Sequence, residues 1–415
     1  MKHRLPPALR LRSFALLWSA SLATGLATQM VAVAVGWQVY AIHHDPLDLG
    51  LVGLAEFAPL PLLALPAGQL VDRVSRRVLA AAAVAFHICI VGVLLAVTVA
   101  GLTALWPYLC IGALAGAMSS FSSPATSALM PELVPGELLQ GAIALRTVAG
   151  RIGIVVGPTL GGVLFAVEPL SVYATAAGML ALALAALVAM PPTVSRRSDE
   201  PVRWDSVVAG LRFVLRTRMI LGAILLDLVA VLLGDAIALA PVFARTILDI
   251  GPVGLGALRT APSLGALASG ALITRRPLQR RAGPTLLVVV AVFGAATIVF
   301  GLSRSLPLSL AALFVTGFAD MYSMTIRETT IAVVTPLDLQ GRVLAVESVF
   351  ISASNELGAF ESGGMASLVG TTRAVVLGGA LMIASAASWP KLFPALSRMG
   401  RLDDLRPAPA AGAGG

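Results

Sequence analysis

Charge is what this chain has least of. Only 12% of its 415 residues are Asp, Glu, Lys or Arg, about half the share usual in a soluble domain. With 58% hydrophobic residues and a mean hydropathy of +0.91, that shortage excludes a water-soluble globular protein. Cysteine is scarce as well. Cys89 and Cys110 both fall inside apolar runs, so neither a disulfide framework nor a cysteine metal site is expected, and both read as packing residues. Of the four histidines, His43 and His44 precede Asp45 in what reads as a solvated turn, and His87 reads as a packed, hydrogen-bonded side chain. A phosphate-cradling loop, a zinc-ligand spacing and a nucleophile elbow are all missing. Those absences argue against direct ATP drive and against an enzyme; no cofactor and no metal are expected.

What the chain does have is apolar length. Runs of ~20 residues recur from end to end, the length that crosses ~30 Å of hydrocarbon at 1.5 Å per residue. They are rich in Ala, Leu and Gly without period-2 alternation, so they read as helices and not as barrel strands. Twelve spans can be placed, near 14–40, 49–71, 78–100, 105–127, 142–167, 170–190, 219–243, 253–274, 284–303, 307–330, 343–369 and 372–394. The first run is too long for a signal-peptide core, so no cleavage is expected.

A net charge of +8 is compatible with nucleic-acid binding, but its distribution argues for membrane orientation instead. Lys2, Arg4, Arg10 and Arg12 precede span one; Arg73, Arg76 and Arg77 follow span two; six arginines lie between spans six and seven. Arg275, Arg276, Arg280 and Arg281 follow span eight, Arg342 follows span ten, and Lys391, Arg398, Arg401 and Arg406 close the chain. The alternate connections carry only Arg245, Arg304 and Arg373. By the positive-inside rule both termini are cytoplasmic and the number of spans is even.

The longest polar segment, 191–218, divides the chain almost in half. Its second part spaces Trp204, Val207, Val208, Leu211, Val214 and Leu215 at helical intervals opposite arginines, which reads as an interfacial helix or, alternatively, a linker helix packed on a bundle. The boundaries expected are residues 1–190 for a first six-helix bundle, 191–218 for the linker, 219–394 for a second bundle and 395–415 for a disordered cytoplasmic tail. The halves resemble one another: Val52-Gly-Leu recurs at Val253, Ala58-Pro59 at Ala261-Pro262, Gly68 before its arginines at Gly270, and Leu139-Gln-Gly at Leu339. Four matches in order at an offset of about 200 residues suggest a duplicated six-helix unit. Because six is even, the copies share an orientation, and their pseudo-twofold axis lies along the membrane normal. The fold class expected is an all-α membrane protein of twelve transmembrane helices in two such bundles around a central cavity.

Between spans two and three runs GQLVDRVSRR, Gly68 to Arg77, and span five carries Gly153, Gly157, Pro158, Gly161 and Gly162. The first stretch resembles the signature loop of the major facilitator superfamily, G-x-L-a-D-r-x-x-R-R/K. The second is similar to that superfamily's pattern G-x-x-x-G-P-x-x-G-G, associated with exporters that run as antiporters. Arg327 and the stretch Thr335 to Val343 resemble the branch of bacterial exporters that includes the enterobactin exporter. The resemblance covers the whole chain. It implies that Asp72 docks on the start of span eleven, near Gly341-Arg342, when the cytoplasmic side closes, with Arg73, Arg76 and Arg77 tuning that latch. The counterpart loop after Gly270 keeps arginines but no aspartate, and span four lacks the arginine pattern common in proton-coupled drug exporters.

The residues can be weighed without the resemblance. Gly68 permits close backbone approach, and Asp72, just past a helix end, can accept from exposed amides of a facing helix N-terminus. Three arginines alone would serve topology; Asp72 is the residue topology does not need. The glycine stripe of span five allows tight packing, and Pro158 removes an amide and weakens the helix locally: a bending gate, plain packing, or both.

Ionisable residues inside spans are costly and face a cavity or a partner. Arg151, Asp227, Asp235, Asp320, Glu356 and Glu361 sit deepest, while Arg146, Arg259, Glu328 and Glu347 lie near span ends and can snorkel. Asp320 and Arg327 share a helix face but are two turns apart, so partners from another helix are expected. A desolvated carboxyl can take up and release protons near neutral pH, which makes Asp227 the first coupling candidate, then Glu356 and Glu56; the bland reading is a buried pair with an arginine, Arg151 being the nearest to hand. Met118, Phe121, Met321, Tyr322 and Met324 are candidate cavity-lining residues, or core. The sequence thus reads as a monomeric inner-membrane exporter of small amphipathic molecules, coupled to protons, with the lipid bilayer as surroundings and no nucleic-acid partner. A nutrient importer or facilitator, or a non-transporting sensor or assembly protein, are the alternatives.

Overall fold

The computed structural model describes residues 6–63, 74–191, 204–275, 281–337 and 339–401. Helices dominate, and no strand occurs among the described residues. In chain order they are α1 (Arg12–His43), α2 (Pro46–Leu63), α3 (Arg76–Val99), α4 (Trp106–Leu133), α5 (Gly136–Val167) and α6 (Pro169–Val188), then a linker helix (Trp204–Arg216). After it come α7 (Arg218–Ile247), α8 (Gly251–Arg275), α9 (Ala282–Leu302), α10 (Leu306–Val334), α11 (Gln340–Val369) and α12 (Thr371–Leu392). Ten of these are long and apolar enough to cross a membrane; α4 and α8, 28 and 25 residues long, stand where the sequence places spans four and eight. The protein is an all-α multi-pass membrane protein.

Local signals set the ends. Proline occupies the first turn of α4, α6 and α10, where its missing amide costs nothing. α1 ends on His44 in the left-handed region, with φ 55°, and α11 hands over to α12 through Gly370 at φ 89°, a conformation that favours glycine.

The chain forms two compact units. The first comprises Met1–His44, Leu51–Val202 and Ile250–Thr260, the second Asp45–Gly50, Arg203–Asp249 and Ala261–Gly415. In the first, α1 packs chiefly against α5 and α6, and α3 against α4 and α6. In the second, α7 packs against α11 and α12, and α9 against α10 and α12. Each principal contact recurs six helices later, as a duplicated unit requires.

The linker helix packs on its own unit. Phe213 and Val214 are buried in a cluster with Ile220 and Ile224 of α7, Ile331 and Val334 of α10, and Val343 and Val346 of α11. Gly210 sits so close to α11 that a Cβ there would lie 2.8 Å from the Arg342 carbonyl oxygen. Leu211 and Leu215, two of the positions that suggested an interfacial face, stay exposed. The helix is held by Val214 of that stripe together with Phe213, which lies off it.

Candidate functional site

The second unit holds a cavity of about 200 Å³ lined from α7, α8, α9, α10, α11 and α12. Three aspartates, Asp227, Asp235 and Asp320, share its wall with Arg327 and Asn355. Asp227 of α7 and Arg327 of α10 form an ion pair there, their side chains 12% and 9% exposed. Three turns of mostly apolar residues flank Asp227 in α7, so an unpaired charge would be expensive and the pairing offsets that cost. Among the described residues, the Arg327 Nε atom is buried without a hydrogen-bond partner, as is the hydroxyl of Thr297, 1% exposed in the same wall.

α7 is interrupted beside this cavity. The regular helix stops at Gly234, Asp235 takes φ −74° and ψ 60°, and the chain continues through a 3-10 turn (Ala236–Leu239), one α turn (Ala240–Val242) and a π turn (Phe243–Ile247). Pro241, without an amide to donate, falls within the interruption. Breaks of this kind put unpaired backbone groups next to a site inside apolar surroundings.

On the other side of the ion pair lies a void of about 10 Å³ bordered by Asp227, Arg327, Glu328 and Glu347. That is room for about one water. Glu347 is only 8% exposed, although its place near the start of α11 suggests a snorkelling residue; α7 and α10 cover it. Arg327 therefore faces carboxylates on both sides. Of the candidate coupling residues and their candidate charge partners, the structure brings Asp227, Asp320 and Arg327 into one cavity wall, while Glu356 is half-buried elsewhere on α11 and Arg151 is half-buried on α5 in the first unit.

In the first unit, Gly68, Asp72 and Arg73 lie outside the described residues. Arg76 and Arg77, at the start of α3, are fastened within their own unit. Arg76 Nη1 is 2.7 Å from Glu132 Oε1 at the end of α4, and Arg77 Nη2 donates to the Val188 carbonyl at 2.8 Å, the last residue of α6. A cation at a helix C-terminus meets carbonyls without helical partners and the negative end of the macrodipole. Arg342 is exposed at the start of α11, its backbone against Gly210.

The glycines of α5 are contact points. A Cβ on Gly153 would lie 2.9 Å from the Gly25 carbonyl carbon, on Gly157 2.5 Å from Gln29 Cβ, and on Gly161 2.8 Å from Met30 Cα, all on α1. Gly162 turns to another neighbour, the carbonyl of Pro252, and a Cβ on Gly256 would come 2.5 Å from the Pro158 carbonyl oxygen. Beside them the Thr159 and Thr260 hydroxyls are 2.9 Å apart. Both faces of the stripe are therefore occupied by backbone.

The five aromatic and methionine candidates are dispersed. Met324 borders the small void. Phe121 packs on Leu79 and Ala125. Tyr322 stacks on Phe318, ring centroids 6.3 Å apart, and joins the core around Leu286 and Met382. Met118 and Met321 are half-buried, and none of these four lines the large cavity of the second unit. Thr297, Ser323 and Asn355, which do line it, carry no charge and so give no signal as ionisable residues; Thr297 has the weaker signal of being the one hydroxyl in the apolar stretch 286–302.

Two helical units built on one packing plan, with charges paired deep among apolar spans, define a transporter of the major facilitator type. The chain matches the transmembrane secretion effector family across residues 5–403 and belongs to it. It is 28% identical over 380 residues to the multidrug efflux pump Tap of Mycolicibacterium fortuitum, covering 85% of this chain and 88% of that protein. It is 30% identical over 351 residues to the enterobactin exporter EntS of Citrobacter koseri, covering 82% of each. In fold it resembles a bacterial homologue of the human lysosomal transporter Spinster, with TM-score 0.74 at 15% identity over 96% of this chain and 99% of that one. A bacterial homologue of the iron transporter ferroportin gives TM-score 0.69 at 17% identity, over 94% and 99%. At such identities the structural likeness is one of fold.

Proposed function

We propose that this protein is a secondary active exporter of small amphipathic molecules from the cell, working by alternating access and driven by inward proton flow. The observation that carries export is the similarity, along more than four-fifths of the chain, to two relatives named as exporters. Their substrates differ, so a small molecule is the shared class. On this reading twelve spans form bundles 1–190 and 219–394, joined by 191–218 and followed by the tail 395–415, in the inner membrane, monomeric, with both termini cytoplasmic. Met118, Phe121, Met321, Tyr322 and Met324 would be the substrate-contacting candidates.

Coupling is assigned first to Asp227, with Glu356 and Glu56 as further carboxyls within spans. Protonating Asp227 would release Arg327, and the pair therefore offers two electrostatic states that a proton selects between. Asp72, with Gly68, Arg73, Arg76, Arg77 and Arg342, would form the cytoplasmic latch, and the α5 stripe the gate.

Inverted vesicles under an imposed pH gradient test this. Export by antiport predicts accumulation of a labelled amphipathic substrate that collapses with a protonophore and in Asp227→Asn. Equilibration that ignores the gradient would point to a facilitator and sink the coupling, and no transport of a broad panel would favour a non-transporting role.

A further inference from the structure

The first unit holds a second cavity, of about 140 Å³, lined from α1, α2, α3, α4 and α6. Its wall is mainly aliphatic, Val31 and Ile90 among it, and neither lysine nor arginine lines it. Besides the Thr28 hydroxyl, four polar side chains reach it, and three of these are satisfied by the protein. His87 Nδ1 lies 3.2 Å from the Ala83 carbonyl oxygen, Ser119 Oγ donates to the Ala115 carbonyl at 3.0 Å, and the Tyr108 hydroxyl donates to Gln38 at 3.4 Å. Glu56 is the fourth. Among the described residues it has neither an ion pair nor a hydrogen bond.

Its position is built in. Gly112 and Gly116 of α4 let the backbone of α2 lie directly against them: a Cβ on Gly112 would be 3.3 Å from the Val52 carbonyl oxygen, and one on Gly116 would collide with the carbonyl oxygen of Glu56 itself. The carboxyl is thus carried on a helix pinned at that residue. An ionised carboxylate among aliphatic walls is unfavourable until a positive charge arrives. Apolar cavities of ~150 Å³ admit a molecule the size of benzene, so this one has room for a ring or short alkyl chain.

We propose that this cavity is a binding site for a small hydrophobic amine, or for the amine-bearing arm of a larger amphipath, with the ammonium on the Glu56 carboxylate. The site does not depend on the exporter reading for its existence; on that reading it would receive the cationic end of a cargo. Purified full-length protein in nanodiscs is titrated with benzylamine and with benzyl alcohol, its uncharged counterpart, and the apparent affinity is read from the concentration dependence of the unfolding midpoint. Wild type should bind benzylamine about tenfold more tightly than the alcohol, and Glu56→Gln should bind the two alike. Should Glu56→Gln fail to fold, Glu56→Asp retracts the charge by one methylene and should weaken the amine several-fold while leaving the alcohol unchanged. Equal affinities on wild type, or an amine preference that survives both substitutions, overturn the proposal. Because the assay reads no transport, its failure is separable from failure of the vesicle experiment.

Discussion

Asp227 of α7 and Arg327 of α10 form an ion pair that separates two cavities of the second unit, the larger of about 200 Å³ and the smaller of about 10 Å³. Both side chains are mostly buried, so the cost of removing one differs from the cost of removing both. Asp227→Asn should destabilise the protein by ~3 kcal/mol, because Arg327 keeps its charge and loses its partner. Asp227→Asn combined with Arg327→Gln should recover part of that loss, since the stranded guanidinium is gone, and Glu347, which then loses the cation it faces, keeps the recovery from being complete. Thermal unfolding of the single and double variants gives the coupling directly. A double variant no more stable than the worse single one would show that the pair does not act as a unit.

The α5 stripe provides its own control. Gly161→Ala places a methyl 2.8 Å from the α1 backbone at Met30, whereas at Gly150, on the same helix, nothing lies within 4 Å. Overpacking against backbone costs ~1–3 kcal/mol, while Gly→Ala at an open helical position gains up to ~1 kcal/mol. Gly161→Ala should therefore lower the unfolding midpoint and Gly150→Ala should hold or raise it. If the stripe is also a gate, transport by Gly161→Ala falls further than its loss of folded protein explains. Equal behaviour of the two variants would remove the stripe's packing role.

Much of this was legible from residue order. Hydrophobic length and the arginine distribution define the spans, and the repeated Val-Gly-Leu and Leu-Gln-Gly stretches foretell that α7 to α12 repeat the packing of α1 to α6. Arg327 was expected to find a partner on another helix, since Asp320 is two turns away. Which helix supplies it is not written locally. It depends on the depth at which α7 and α10 cross, a tertiary relation to which close approaches elsewhere, such as that of α8 and α10 at Gly265 and Gly317, belong. Glu347 misleads for the same reason: position near a helix end suggests solvent, and only tertiary packing buries it.

The signature loop divides into residues with different jobs. Arg76 and Glu132 are 18% and 14% exposed and join α3 to α4 within one unit. Arg76→Ala should thus cost ~2 kcal/mol of stability, measurable as a lower midpoint and poorer yield, and the exchange Arg76→Glu with Glu132→Arg should restore part of it. Asp72→Asn, on the latch reading, should leave midpoint and topology unchanged and impair transport. Normal transport by Asp72→Asn would reduce the loop to a topology signal.

A polar cluster of the first unit ties four helices through one amide. Gln38 of α1 donates through Nε2 to Thr98 of α3 at 3.1 Å, and its Oε1 accepts from Tyr173 of α6 at 2.5 Å and from Tyr108 of α4 at 3.4 Å. Tyr173 is wholly buried, so its hydroxyl has no recourse to solvent. Removing the acceptor should hurt more than removing the donor, because an orphaned buried hydroxyl keeps its desolvation penalty of ~1–3 kcal/mol, whereas deleting the hydroxyl leaves an amide that still bonds Thr98. Gln38→Leu should accordingly lower stability by ~2 kcal/mol and Tyr173→Phe by ~1 kcal/mol. Added to Tyr173→Phe, Gln38→Leu should cost less than it does alone, since the stranded hydroxyl is already gone. Strict additivity in the cycle, read from unfolding midpoints, would mean that Gln38 stabilises α1 by packing and not by serving Tyr173.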